Sequence, residues 1–320
     1  MKFYPLHFIP IPKQKIWGGN KLKERFNKDF PPNVGESWEL SCLKDNVSII
    51  KNGEFAGQDF CSIINRYPEE ILGKKVMKNG GEFPLLFKLI DAKDNLSIQV
   101  HPGDDIAKAK YNSFGKTEMW FILDADKNGK ILCGFNKDIS KQNYPALVES
   151  GEIENALNAC QTKAGDVFFI PTGRVHAIGA GVVLAEIQQT SDLTFRIFDY
   201  NRTDEEGKKR KLHINEALDV LDLSAIKDCK TPYVPINDEA VNIVKCQYFT
   251  VNFISLKAEI RRNLKNKDSF VVYMSIDGTA EILFDGGKAT INKGETVLIP
   301  ANIADITLKS GNAKLLETYI

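Results

Sequence analysis

A chain of 320 residues with 43% hydrophobic and 10% aromatic content can bury a substantial core, as one large domain or two ordinary ones. Lys plus Arg balance Asp plus Glu at 42 each, so the overall charge gives no reason to expect nucleic acid or a membrane surface as a partner. No stretch approaches the roughly 18 apolar residues of a spanning helix, and the start, MKFYPLHFIPIPKQKIWGG, has prolines in its apolar part and no small-residue cleavage pattern.

We therefore expect an unexported, cytoplasmic protein. The six cysteines, Cys42, Cys61, Cys133, Cys160, Cys229 and Cys246, are scattered without a CxxC pair and read as free thiols.

In chain order, a helical pattern over 60–72 precedes the strand patterns FPLLFKLID (83–91) and LSIQVHP (96–102). A second helical pattern at 102–111 leads to EMWFIL (118–123), and a third at 145–159 leads to DVFFIP (166–171), VVLAEIQQ (182–189) and TFRIFDY (194–200). The charged stretch RTDEEGKKRK (202–211) reads as a surface excursion or linker, followed by a short helix at 215–221. Beyond KTPYVPIND the pattern is strands again, at 249–256, 269–276, 280–284 and 295–300.

These segments are short, β-branched or aromatic, and bounded by Gly, Asn, Asp and Pro, which predicts an all-β dominated fold built on a sandwich or barrel. The boundary is expected at 225–240, giving segment 1–200, a helical and charged connector 201–232, and a β-domain 233–320.

AGDVFFIPTGRVHAI (164–178) and KGETVLIPANIADIT (293–307) share one frame: a Gly turn, a strand, a stopping proline, then five residues to a polar position. That position is His176 in the first copy and Asp305 in the second, and no histidine lies beyond His213. The second copy reads as a barrel that kept its shape and lost its site.

In LSIQVHP, alternation puts Ser97, Gln99 and His101 on one face and Leu96, Ile98 and Val100 on the other. The polar row faces either water or a polar interior. Glu118 heads an otherwise apolar strand, and His176 follows a strand-ending proline. Together Gln99, His101, Glu118 and His176 form a ligand set suited to Zn²⁺, Fe²⁺ or Mn²⁺. Arg196, between Phe195 and Ile197, and Lys88, sharing a face with Leu86 and Ile90, are each either paired at the core or sheet edge or directed into a polar cavity.

The combination of KIWGG (15–19), GESWELS (35–41), FPLLFKLIDAKDNLSIQVHP (83–102), KTEMWFIL (116–123), IPTGRVHAIGAG (170–181) and LAEIQQTSDLTFRIFDYNR (184–202) resembles the type I phosphomannose isomerases, in their short bacterial form. The resemblance implies two cupin-type β-barrels of jelly-roll form with short helical insertions, of which the first carries the metal site and the second, 233–320, lacks one. It implies one zinc ion per chain, held by Gln99, His101, Glu118 and His176, and a phosphosugar substrate, mannose 6-phosphate or fructose 6-phosphate, interconverted through an enediol.

It points to Arg196 as an active-site residue, to Lys88 and Lys116 as groups lining the substrate pocket, to Ser97 as a phosphate contact, and to Trp17 as pocket wall. Lys88 serves as a base only where burial or neighbouring positive charge lowers its pKa. An Fe²⁺ cupin oxygenase fits the same ligand types, and a non-enzymatic sugar-binding cupin fits the scaffold.

Overall fold

The structure, a computed structural model, describes residues 2–203 and 206–320, so Asp204 and Glu205 of the charged stretch lie outside the described residues. The chain divides into two compact units, one of Met1–Ile11, Trp38–Phe87 and Pro232–Ile320, the other of Pro12–Ser37 and Lys88–Thr231. Segment 1–200 thus contributes to both units, because Leu6–Ile9 is a strand of the same sheet as Thr296–Ile299. The chain passes from one unit to the other at Pro232.

The unit around Lys88–Thr231 holds two sheets. One runs, strand by strand, Val167–Ile170, Glu118–Ala125, Val182–Gln189, Leu85–Ala92, Ile11–Gly19 and Val34–Leu40. The other runs Leu157–Gln161, Lys130–Phe135, His176–Ile178, Ile98–Val100 and Phe195–Phe198.

Trp120, Ile122, Phe168 and Leu184 from the first sheet pack with Ile131, Cys133 and Ile178 from the second. The two sheets therefore face each other across one core, and burying such side chains contributes about 1.5–3 kcal/mol each. The outer face of the second sheet carries Ile98, Val100, Leu132, Ala177, Phe195 and Ile197, covered by the short helices Tyr144–Glu149 and Ile214–Leu218.

The other unit repeats this plan. Thr296–Ile299, Val271–Asp277, Ala313–Tyr319 and Thr250–Leu256 are neighbours in the same order as the first four strands above. Gly287–Ile291, Ala280–Phe284, Asp305–Lys309 and Glu259–Asn263 match the first four strands of the second sheet. None of these sheets closes into a barrel, so the expected barrels are observed as pairs of facing sheets.

The sequence echo is the core of this repeat. Gly165 at φ 92° and Gly294 at φ 82° occupy the left-handed region that a side chain disfavours. Their N–H groups bond the carbonyls of Ile122 at 2.9 Å and Ser275 at 2.7 Å, which hold the same place in equivalent strands.

Helices follow the expected patterns with shorter spans. The 60–72 pattern splits into Phe60–Arg66 and Pro68–Leu72, where Pro68 starts a new helix. The 145–159 pattern stops at Glu149, since Gly151 turns the chain at φ 76° and Leu157–Gln161 joins a sheet instead. No helix among the described residues is long and apolar enough to cross a membrane.

Candidate metal centre

Three neighbouring strands bring the polar row together. Arg196 pairs in register with Gln99, and Gln99 with His176, so these residues from Phe195–Phe198, Ile98–Val100 and His176–Ile178 lie side by side. Ile98 and Val100 are in the outer cluster, which turns Gln99 and His101 toward the interior, as the alternation requires. Leu96 departs from that alternation and packs in the inner core, because the strand begins only at Ile98. From the facing sheet, Trp120 and Ile122 lie in the inner core, and the same alternation puts Glu118 at the head of their face.

His101, Glu118 and His176 are all buried, and one ligand atom from each lies within 4.8 Å of the others. Each imidazole is fixed by its far nitrogen: His101 Nδ1–H donates to the Leu193 carbonyl at 3.0 Å, and His176 Nδ1–H to the Arg174 carbonyl at 2.8 Å. Both Nε2 lone pairs are thereby left for the interior, an outer-shell arrangement typical of metal-ligating histidines.

The Nε2 atoms stand 3.7 Å and 3.4 Å from Glu118 Oε1, which is buried without a hydrogen-bond donor. Acceptors converging in a dry interior demand a cation. Lys116 stands in that role here, its ammonium 3.0 Å from His101 Nε2 and ion-paired with Glu118 Oε2. Two neutral imidazoles and one carboxylate are a donor set that fits a divalent transition metal with room for further ligands.

Electrostatics agree with acceptors held ready. Burial and then the charge of Lys116 push His101 down to about 4, and burial likewise lowers His176. Burial works to raise Glu118, but Lys116 and the histidines outweigh it and hold the carboxyl well below its ordinary range.

The other anticipated residues gather nearby with differing roles. The Gln99 amide lies 3.4 Å from His176 Nε2, and the Ser97 hydroxyl donates to Gln99 Oε1 at 3.3 Å. Which end of that amide faces the histidine is decided by the hydrogen-bond network, and a flip directs its oxygen into the donor set. Arg196 donates from Nη1 to the Lys211 carbonyl at 3.0 Å, while its buried Nε has no partner. Trp17 is a core residue, packed with Ile90, Leu96 and Trp120.

Lys88 does not show the lowered pKa that a lysine base requires. Burial opposes its charge, but Glu186 at 2.9 Å, with Glu36 and Glu118, raises it above the ordinary lysine range.

Glu186 is the residue the sequence reading passed over. It accepts from Trp120 Nε1 at 2.8 Å as well as pairing with Lys88. A carboxylate inside the apolar run VVLAEIQQ needs a buried cation, and Lys88 in LLFKLID is the matching signal. The stretch 202–211 is also more than a linker: Asp199 accepts from Arg202 at 2.5 Å and from Arg210 Nε at 2.7 Å, and the Lys211 carbonyl holds Arg196.

The duplicated unit shows what replaces the donors. Register puts Val271 opposite Ile299 where Glu118 stands opposite Ile170, and Asn263 opposite Asp305 where Gln99 stands opposite His176. The acid at the centre is nevertheless retained, since Glu317 is bonded by Tyr273, Asn252 and Arg262 as Glu186 is by Trp120 and Lys88.

Comparison with known proteins decides the family. Residues 6–165 match the family described as "Phosphomannose isomerase type I, catalytic domain", and residues 239–320 match "Mannose-6-phosphate isomerase, cupin domain". The chain belongs to the type I phosphomannose isomerases.

Relatives agree over nearly the whole length. The chain is 34% identical to the probable mannose-6-phosphate isomerase GmuF of Bacillus subtilis, covering 96% of both chains. It is 32% identical to the mannose-6-phosphate isomerase of Streptococcus mutans over 93% of each. The crystal structure of the mannose 6-phosphate isomerase from Bacillus subtilis superimposes with a TM-score of 0.88 at 30% identity, covering 99% of both chains. The resemblance carried by LSIQVHP and TFRIFDYNR is thus borne out, and the chain is an isomerase with a cupin domain.

Proposed function

We propose that the chain is a cytoplasmic enzyme that interconverts mannose 6-phosphate and fructose 6-phosphate, with one zinc ion held by His101, Glu118, His176 and Gln99. The observation that carries the metal is the convergence of two imidazole lone pairs on the donor-free oxygen of Glu118. The names of the relatives support the substrate. The pairs of facing sheets are read as two cupin-type jelly rolls, of which the second has Val271 and Asp305 in place of two metal ligands.

Moving a proton between C1 and C2 through an enediol requires a proton carrier, and stabilisation of the developing oxyanion. Bound zinc supplies Lewis acidity toward the substrate's oxygens. Arg196 is a permanent cation whose partnerless Nε is available to an enediolate oxygen.

We assign proton transfer to Lys116, which already lies against His101 and Glu118, and not to Lys88, whose proton Glu186 holds. Lys88 then acts as a fixed positive charge. Ser97 orients the Gln99 amide and offers the substrate phosphate a hydroxyl, and Trp17 backs the pocket.

The test is to incubate the purified chain with mannose 6-phosphate before chelation, after chelation and after zinc readdition, following fructose 6-phosphate. Turnover that is lost and then restored supports the reading. No turnover at full zinc occupancy refutes the substrate.

A further inference from the structure

Arg196 is anchored at one end of its guanidinium and bare at the other. Its Nη1 donates to the Lys211 carbonyl at 3.0 Å, and its buried Nε has no partner. Pairing with Gln99 fixes the backbone of Arg196, but a long side chain keeps its rotamers, so the aim of the guanidinium depends on what holds Lys211.

Lys211 lies on a limb that folds back along the chain leaving the strand Phe195–Phe198. At the base, His213 N–H donates to the Arg196 carbonyl at 2.7 Å, and Arg196 N–H to His213 Nδ1 at 3.2 Å. Further along, Arg210 grips Asp199 as a fork, Nη2 to Oδ1 at 2.5 Å and Nε to Oδ2 at 2.7 Å. Beyond that, Lys209 Nζ donates to Asn201 Oδ1 at 3.0 Å, and Thr203 pairs with Lys209 in an antiparallel bridge. Lys211 therefore sits between two ties, and Asp199 carries the charged one.

The surroundings of Asp199 are arranged to keep that tie. Its side chain is only 5% exposed, and Arg202 adds a bond from Nη2 to Oδ1 at 2.5 Å while tying its own Nη1 to the Asn95 carbonyl at 2.6 Å. Tyr200 and Asn201 both adopt the left-handed region, at φ 54° and 56°, and bring Arg202 N–H back to the Asp199 carbonyl at 3.1 Å. Two successive non-glycine residues in that region persist only where their surroundings hold them there. At Arg196 the same carboxylate opposes the repulsion of Arg210 and Arg202.

We propose that Asp199 is a positioning residue for the isomerisation: through Arg210 and the Lys211 carbonyl it aims the guanidinium of Arg196, with its bare Nε, beside Gln99. The proposal rests on the reading of Arg196 as the group that meets the enediolate oxygen. Asp199 itself touches no reacting atom, so it acts on turnover and not on metal binding.

The zinc-loaded full chain is compared with Asp199→Asn, Arg210→Met, their double variant, and Lys209→Ala, which removes an exposed pair on the same limb. Turnover of mannose 6-phosphate is followed together with the Arg196 Nε–H signal in a ¹⁵N-edited spectrum, assigned by its absence from Arg196→Lys. Asp199→Asn and Arg210→Met should each shift that signal and lower kcat about 10-fold or more with KM within about 3-fold, because a misplaced guanidinium costs the transition state more than the ground state. The double variant should lose no more than the worse single, as members of one clamp do, while zinc content holds and Lys209→Ala matches the parent. Arg210→Lys keeps the charge without the fork and should repeat the loss, which decides the matter even where Asp199→Asn does not fold. An unmoved Nε–H signal, a loss confined to KM, single effects that multiply in the double variant, or a Lys209→Ala that behaves like Asp199→Asn each overturns the proposal. A parent chain without turnover refutes the substrate instead, and the Nε–H signal then decides the aim of Arg196 by itself.

Discussion

Replacing Glu186 by Gln removes a charge while keeping an oxygen for Trp120, so it isolates the ion pair with Lys88. Both side chains are almost wholly enclosed, at 7% and 4% exposure, and their separation is 2.9 Å. Breaking a buried pair from one side costs about 3–5 kcal/mol, because the remaining charge is stranded without water. Glu36 and Glu118 also act on Lys88 and keep part of the compensation, so the lower end is expected, about 3 kcal/mol.

That corresponds to roughly two powers of ten in the unfolding equilibrium, since about 1.4 kcal/mol is tenfold. Urea unfolding of the metal-free chain, read by tryptophan fluorescence, measures it. The double variant Lys88→Met with Glu186→Gln carries neither charge and should return to within about 1 kcal/mol of the parent, as neutral replacements of buried pairs do. A loss below about 0.5 kcal/mol for Glu186→Gln, or a double variant no better than the single, would refute the stranded-charge argument.

The same pair sets an alkaline limit. Because the folded pKa of Lys88 is raised, its stabilisation is fully present below the ordinary lysine value of 10.5 and is withdrawn as pH climbs beyond it, so Glu186→Gln should flatten stability against pH in that range. On the acid side, the depressed folded pKa of His101 means the unfolded chain binds the extra proton first; metal-free protein should lose stability as pH falls from 6.5 toward about 4, and His101→Gln should lessen that slope. His101→Ala and His176→Ala should each release zinc in equilibrium dialysis and cut turnover at least about 100-fold, and metal affinity equal to the parent's would exclude them as ligands. In the second unit, Glu317→Gln strands Arg262 and should destabilise by about 2–4 kcal/mol in urea while zinc content stays unchanged; a loss of zinc would contradict the assignment of the metal to His101, Glu118 and His176 alone of the acid-centred clusters.

Much of the site could be read from local pattern. Alternation in LSIQVHP already separates Gln99 and His101 from Ile98 and Val100, and the Gly-strand-Pro frame locates His176 and its counterpart Asp305. Both signals are short-range: a strand repeats every two residues, and a glycine turn followed by a stopping proline fixes where the next strand begins. Leu96 shows the limit, since alternation applies only where the backbone is extended and paired. The 145–159 pattern shows another, because sheet pairing claims Leu157–Gln161 despite its helical periodicity.

By itself, then, the sequence determined a strand-rich chain, an internal repeat, the family and the types of donor available for a metal. Tertiary structure decided which charges meet. Lys88 is far from Glu186 in the chain, as Asn252 is from Glu317, and nothing in either neighbour's local pattern names its partner. Strand order and register bring them within 3 Å or so only once the sheets assemble, and at that distance in a dry interior Coulomb and desolvation terms far exceed any local preference. That is why the pKa of Lys88 is raised instead of lowered, and why the orientation of His101 and His176 rests on the carbonyls of Leu193 and Arg174, groups every residue carries and no motif marks.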